Sequence, residues 1–272
     1  MNRKSQGAES GATDARVIRL RRADRLSAIL ERLSADRSLG VAELAEAFGV
    51  SQATLRRDLQ DLKEQELVTR IHGGVLAQPA SHELPVRYRD MHHKEEKQRI
   101  AVEAVRRIPA GPIAVGLTGG TTTREVARRL TGRDDLTVIT NALDIATELA
   151  VSPRVNLVVT GGRCRPQSYE LVGPWAEHTI RGLNIGVAIV GTDGISADGG
   201  LTTHDEVEAQ TNAALISRAR RTIVVADGSK VGRVFLARIA GLEDVDELVT
   251  DESVEGAALD AVRAADVEVT VV

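Results

Sequence analysis

Residues 41–68 read VAELAEAFGVSQATLRRDLQDLKEQELV, and their spacing decides what the front of the chain is. Val41, Leu44, Ala45 and Phe48 fall on one side of a short helix, Gly49 supplies a tight turn, and Val50 is an apolar plug before a second helix. Ser51 is placed to cap that second helix, along which Leu55, Leu59 and Leu62 recur at i, i+4 and i+7. The leucines face a core, which leaves Gln52, Thr54, Arg56, Arg57 and Gln60 nearer solvent. These polar residues crowd the N-terminal half, the end that a helix-turn-helix inserts into the major groove, where backbone amides and the helix dipole also favour phosphate. Arginine takes guanine bidentately or clamps a phosphate, and spacing does not divide those roles between Arg56 and Arg57.

Upstream, from Ile18 to about Ala35, Leu26, Ile29, Leu30 and Leu33 recur at helical spacing among charged residues, which predicts an amphipathic helix. Downstream, residues 67–77 (LVTRIHGGVLA) read as two short strands around Gly73 and Gly74, a wing with Arg70 and His72 near its tip. An ordinary three-helix bundle with a solvated arginine pair is the competing reading. The combination of turn glycine, cap, polar N-terminal face and wing favours DNA.

Two domains are expected from 272 residues, and cores with 42% hydrophobic but only 2% aromatic residues must be built from Val, Leu, Ile and Ala, as in parallel α/β sheets. The net charge of -4 hides an asymmetry: residues 1–110 carry 20 basic against 16 acidic side chains, residues 111–272 carry 15 against 23. A mildly basic front permits phosphate contacts, and an acidic bulk suppresses nonspecific sticking to DNA. Cys164 is the single cysteine, so no intrachain disulfide or multi-cysteine zinc site is expected. With no signal-peptide pattern and no apolar run of about 18 residues, the expectation is a cytoplasmic chain with no membrane association.

The expected domains are a disordered tail over 1–16, a winged helix-turn-helix over 17–76, a linker over 77–97 and an effector-binding and oligomerisation domain over 98–272. The linker carries two prolines and dense charge, leading into a helix from about Glu95. His92 and His93 sit there, but neighbouring histidines point in different directions and nothing completes a metal site.

Beyond Ile100, apolar runs alternate with amphipathic stretches: PIAVGL then TREVARRL, LTVIT then ALDIATELA, NLVVT, IGVAIV then HDEVEAQTNAALISRA, and finally TIVVA, DELVT and VEVTVV. That alternation predicts an α/β domain, a mainly parallel Rossmann-like sheet with helices on both faces. Ligands of such sheets bind beyond the carboxyl ends of the strands. There TGGTTT (Thr118, Gly119, Gly120, Thr121, Thr122, Thr123) joins a strand to a helix and offers amides and hydroxyls to an anion. It lacks the Gly-Lys-Ser/Thr end of a nucleotide P-loop and the spacing of a dinucleotide fingerprint, so no cofactor is expected. A plain strand-to-helix turn is the alternative. On the same rim Lys230 offers a cation, while Asn141, Asp193 and Asp227 can hydrogen-bond sugar hydroxyls. Cys164 reads as a small unpartnered thiol and Trp175 as a packing residue.

The stretch VAELAEAFGVSQATLRRDL followed by RIHGGVL closely resembles the DeoR family of bacterial transcriptional regulators, whose run Val-Ser, two free positions, Thr, aliphatic, Arg-Arg-Asp-Leu stands here as Val50 through Leu59. The resemblance implies a winged helix on an operator, with Ser51, Gln52, Thr54, Arg56 and Arg57 as contacts. It continues through HKEEKQRIA, ITNA, YELVGP, GTDGI, ADGSKVG and ELVTDES, covering roughly residues 17–255. It implies an effector domain similar to sugar-phosphate isomerases such as ribose-5-phosphate isomerase, binding a phosphorylated sugar through Gly120, Thr121, Thr122, Asn141, Asp193, Glu206 and Lys230. Many members have aspartate where this chain has Thr118, so a hydroxyl replaces a carboxylate at a sugar-contact position and the resemblance does not name the effector. The alternative is an isomerase-type enzyme with a DNA-binding appendage and Glu206 or Asp193 as base. Against it, GTDGI lacks the further acidic residues of the isomerases and ADGGLTT has no preceding lysine. The implied partners are double-stranded operator DNA, a phosphorylated sugar or related effector, and further copies of the chain as a homodimer or homotetramer. The implied action is regulation, most simply repression, of carbohydrate genes.

Overall fold

The apolar stripe read near the start of the chain becomes α1 (Arg22–Ala35), with Leu26, Ile29, Leu30 and Leu33 all buried. The computed structural model describes residues 20–77 and 83–272; the expected tail over 1–16, the helix start at Ile18 and part of the expected linker lie outside the described residues. The chain divides into two units, Met1–His82 and Glu83–Val272.

In the first unit α1 is followed by β1 (Ser38–Gly40), α2 (Val41–Ala47), α3 (Gln52–Glu64), β2 (Val68–Ile71) and β3 (Gly74–Ala77). Val41, Leu44, Ala45 and Phe48 are buried as their spacing requires, and Leu55, Leu59 and Leu62 are fully buried on α3. Gly49 adopts φ 60° at the turn between α2 and α3. The hairpin of β2 and β3 forms as read, and β1, which the sequence did not announce, joins it in the order β1-β3-β2. Gly74 lies at that junction: a Cβ there would sit 2.4 Å from the Leu39 carbonyl oxygen, so no larger residue lets β1 approach β3.

The second unit begins with α4 (Val86–Arg89) and α5 (Lys94–Arg106). Then come β4 (Ile113–Leu117), α6 (Thr121–Leu130), β5 (Leu136–Thr140), α7 (Leu143–Ala150) and β6 (Asn156–Val159). A short pair, β7 (Arg163–Cys164) and β8 (Leu171–Val172), precedes α8 (Pro174–Arg181) and β9 (Val187–Val190). β10 (Gly194–Ser196), β11 (Gly200–Thr203), α9 (Glu206–Ser217), β12 (Thr222–Val225), β13 (Ala237–Ala240), β14 (Glu247–Thr250), α10 (Gly256–Arg263) and β15 (Glu268–Val271) complete it.

Seven of these strands form one parallel sheet in the order β15-β14-β12-β9-β4-β5-β6, and all seven were legible as apolar runs. Period-2 alternation splits their side chains between two cores. Val187, Ile189, Ile223 and Val225 pack with Ile100, Val126 and Ile145 on one face, while Ala188, Val190 and Val224 pack with Leu215, Leu259 and Val262 on the other. Strand order reverses between β4 and β9, where a doubly wound sheet opens a crevice beyond its carboxyl edge.

Three expectations need correction. The stretch read as linker up to residue 97 does not behave as a free connector, because Glu83 onward belongs to the second unit and both Val86 and Lys97 are buried. A separate antiparallel sheet, β10-β11-β13, arises where no strands were read. Trp175 is 77% exposed and so does not pack as expected. Cys164 is free, as its lack of a partner in sequence suggested, and exposed. No helix among the described residues is long and apolar enough to cross a membrane.

Candidate functional site

Two sites emerge, one in each unit. In the first, Ser51 has extended backbone and its hydroxyl accepts the Thr54 backbone N–H at 3.1 Å, closing the first turn of α3. The apolar spacing then fixes the outer face: Ser51, Gln52, Arg56 and Arg57 are exposed and Thr54 is half-buried. Arg56 Nη2 donates to Gln52 Oε1 at 3.3 Å one turn earlier, a weak exposed contact that leaves the guanidinium available to a stronger acceptor. Arg70 is exposed on β2, and His72 is exposed within the two-residue turn of the β2–β3 hairpin.

Sequence reasoning passed over Asp58. Its carboxylate is buried and accepts Arg25 Nε at 2.7 Å, with Arg22 Nε at 3.4 Å, so the aspartate of the Arg-Arg-Asp-Leu run ties α3 to α1. A carboxylate buried on an otherwise apolar helix face requires such a cation.

In the second unit the rim residues come together at the carboxyl ends of β4, β5, β9 and β12. The loop after β4 turns through Gly120, φ 122°, into α6. Thr121 at its mouth is half-buried, and Thr122 is buried. Thr118 and Thr123 are fully buried and turned to structural work: Thr118 Oγ1 accepts the Gly191 backbone N–H at 2.9 Å, joining the loops after β4 and β9, and Thr123 Oγ1 donates to the Gly120 carbonyl at 2.8 Å. A hydroxyl suits Thr118 because it must accept an amide between two packed strand ends. Gly119 is pressed against Glu170, whose carboxylate accepts its backbone N–H; a Cβ on Gly119 would lie 2.4 Å from Glu170 Oε1.

Asn141 is fully buried, and its Nδ2 donates to Glu170 Oε2 at 3.0 Å and to Asn212 Oδ1 at 3.1 Å, while its Oδ1 is buried with no hydrogen-bond partner among the described residues. Asp193 receives Arg89 Nη1 at 2.7 Å and has Lys230 Nζ at 3.8 Å. Burial alone would raise the Asp193 pKa, but Arg89 and Lys230 hold it below the usual carboxylate range. Thr203 Oγ1 stands 3.0 Å from Asp193 Oδ2 and 2.7 Å from Glu208 Oε1. A hydroxyl has one proton to give, so a protonated Glu208 donating to Thr203, and Thr203 donating to Asp193, satisfies all three. Burial pushes Glu208 up, in keeping with that pattern, and burial, with repulsion between the two carboxylates whenever Glu208 is ionised, pushes Glu170 well up.

Asp227 caps the 3-10 turn Gly228–Lys230 by accepting Ser229 N–H at 3.2 Å. Burial would raise its pKa, but Lys230, Ser229 and Lys97 keep it low. Lys97, which sequence reasoning missed, is buried and donates to the carbonyls of Arg89 at 2.7 Å and His92 at 2.5 Å. Burial lowers its pKa to about 8 against the pull of Asp227 and Asp90, with Lys230 and Arg89 adding to the fall.

Glu206 departs from expectation. It opens α9 exposed, and Glu208, two residues on and so on the opposite side of the helix, is the carboxyl that faces the rim. No group of three His, Cys, Asp or Glu that would hold a metal occurs among the described residues. An open groove along α7, lined by Leu143, Asp144, Thr147, Glu148, Val151 and Tyr169, shares no residue with the rim set.

Residues 92–252 match the family described as the DeoR C terminal sensor domain, and residues 25–79 match the DeoR-like helix-turn-helix domain. The chain is 33% identical over 252 residues to the putative aga operon transcriptional repressor of Escherichia coli O157:H7, covering 92% of this chain and 93% of that one. It is 32% identical over 232 residues to the glycerol-3-phosphate regulon repressor of Escherichia coli K12, covering 85% and 92%, and 36% identical over 230 residues to the transcriptional repressor AccR of Agrobacterium fabrum, covering 84% and 89%. Among solved structures, ribose 5-phosphate isomerase A of Methanocaldococcus jannaschii aligns with a TM-score of 0.38 at 17% identity over 53% of this chain and 55% of that one.

Proposed function

Because the chain belongs to the DeoR family of transcriptional regulators, we propose that it represses carbohydrate-metabolism genes through α3 and the wing and is released from DNA by a phosphorylated sugar at the rim of the second unit. The observation that carries the sensor half is the charge arrangement. Arg89, Lys97 and Lys230 lie together on the rim, and buried Asp193 and Asp227 are held ionised next to them. A phosphate fits the cations and the mouth of the loop at Gly120 and Thr121; sugar hydroxyls fit Asp193 and the unpartnered Oδ1 of Asn141.

In this reading Thr118, Thr123 and Gly119 shape the cradle through backbone and packing, Thr122 and Asp227 line it from behind, and Glu206 contributes least because it is exposed. At the other end, Gln52, Thr54, Arg56 and Arg57 read the major groove, Ser51 presents the capped helix terminus to phosphate, and Arg70 and His72 reach along the duplex from the wing. A homodimer or homotetramer follows from the small size of one winged helix, which covers one half-site. A thermal-shift panel of sugar phosphates, their parent sugars and inorganic phosphate tests the sensor: a sugar phosphate raises Tm where its parent sugar does not, and a flat panel refutes the reading.

A further inference from the structure

The segment that leads from the DNA-binding unit into the sensor is tied at several residues to the rim and to the turn between β7 and β8. Glu83 pairs with Arg165, which in turn donates to Glu208 Oε2 at 3.1 Å. The Val86 backbone N–H donates to the Gln167 carbonyl at 2.7 Å, Arg89 Nη1 to Asp193 at 2.7 Å, and Lys97 holds the carbonyls of Arg89 and His92. Arg124, on the helix that follows the glycine-threonine loop, pairs with Asp90. By sequence, residues 78–82 alone separate the wing strand from the first of these ties.

One tie has a built-in competitor. Asp193 is already served by Lys230 and Thr203, so it retains partners if Arg89 leaves. Arg89 has a buried Nε with no acceptor among the described residues, a donor left over from its fork. A phosphate offers three anionic oxygens to Nε and Nη together, where the carboxylate engages Nη1 at close range.

We propose that Arg89 is an effector ligand and that the Arg89–Asp193 pair is a latch: an incoming phosphate takes Arg89 from Asp193, and residues 83–92 loosen from the rim. This rests on the reading that the rim binds a phosphorylated sugar. Occupancy of the rim thereby reaches the DNA-binding unit through the chain itself.

The latch is tested first without effector, by hydrogen–deuterium exchange on the full chain as wild type, Asp193→Asn, Arg89→Gln and Arg89→Lys. Expected is exchange in residues 83–92 faster by roughly tenfold or more in the first two variants and less in Arg89→Lys, with β9 and β12 protected as in wild type. On a duplex selected from a random pool by the wild-type chain, the same two variants bind roughly tenfold more weakly, a usual size for coupling between sites. Unaltered exchange in residues 83–92, or faster exchange without a change in DNA affinity, overturns the latch. If Asp193→Asn also unprotects β9, Arg89→Gln decides alone. A sugar phosphate that stabilises the wild type then reproduces the loosening there and not in Arg89→Gln; equal loosening in both overturns the role of Arg89. A panel that stabilises nothing counts against the effector reading, while the ligand-free arm still decides the latch.

Discussion

Asp58→Ala asks whether the aspartate of the family motif holds the DNA-binding unit together or meets DNA. Asp58 is 1% exposed, and its principal partner Arg25 is 7% exposed, so removing the carboxylate strands a cation between α1 and α3. Breaking a buried pair from one side costs about 3 to 5 kcal/mol. Arg25 also donates to the Leu20 carbonyl at 3.2 Å, which favours the lower end, about 3 kcal/mol. A unit this small has a stability of about 5 kcal/mol, which leaves about 2 kcal/mol and an unfolded fraction of about 3% at 25 °C. DNA affinity at 25 °C is therefore nearly unchanged, whereas the transition of the first unit falls by roughly 12 to 24 °C. Scanning calorimetry of the full chain resolves that transition, and fluorescence anisotropy on the selected duplex reads affinity at 25 °C. Wild-type melting in Asp58→Ala, or normal melting with lost affinity, would refute a structural role.

Arg56→Ala and Arg57→Ala have the opposite signature: each weakens duplex binding by roughly 1 to 3 kcal/mol if it reads a base, or lowers the salt slope by about 1 if it holds phosphate, without shifting the melt. Two variants with wild-type affinity and salt dependence would remove α3 from the interface. Gly119→Ala drives a methyl into Glu170 and costs about 1 to 3 kcal/mol in urea unfolding of the second unit, where an unchanged midpoint would contradict the packing. Lys97 gives a pH signature. Its folded pKa of about 8 lies below 10.5, so the unfolded chain binds its proton more tightly and stability rises as pH climbs between those values, the burial penalty being full below about 8. Asp227, Asp90, Lys230 and Arg89 are the charged groups that face it. Urea unfolding from pH 7 to 10.5 shows this rise in wild type and its loss in Lys97→Met; the same slope in both excludes Lys97 as its source.

The seven parallel strands and α3 were legible because each is specified by local periodicity. The small sheet was not: β11 pairs with β13 across more than thirty residues, and neither short strand has an apolar run of its own. Lys97 could have been read, since it shares one helical stripe with Ile100, Ala101 and Ala104, and a lysine on that stripe must be buried. Glu208 lies likewise on a stripe with Asn212 and Leu215, whereas Glu206 does not, so spacing within α9 would have chosen between them. Thr118 illustrates the reverse. Its position at a strand end pointed to ligand, but only the reversal of strand order between β4 and β9 brings Gly191 against its hydroxyl. Arg89 gave no local sign, because its meaning depends on Asp193, 104 residues away.

Fluorescence anisotropy of the selected duplex, titrated with the full chain with and without each sugar phosphate of the panel, bears most directly on the central claim that rim occupancy controls DNA binding. The account predicts that at least one sugar phosphate weakens binding roughly fivefold or more while its parent sugar and inorganic phosphate do not. A duplex bound equally tightly in the presence of a sugar phosphate that stabilises the chain would contradict it.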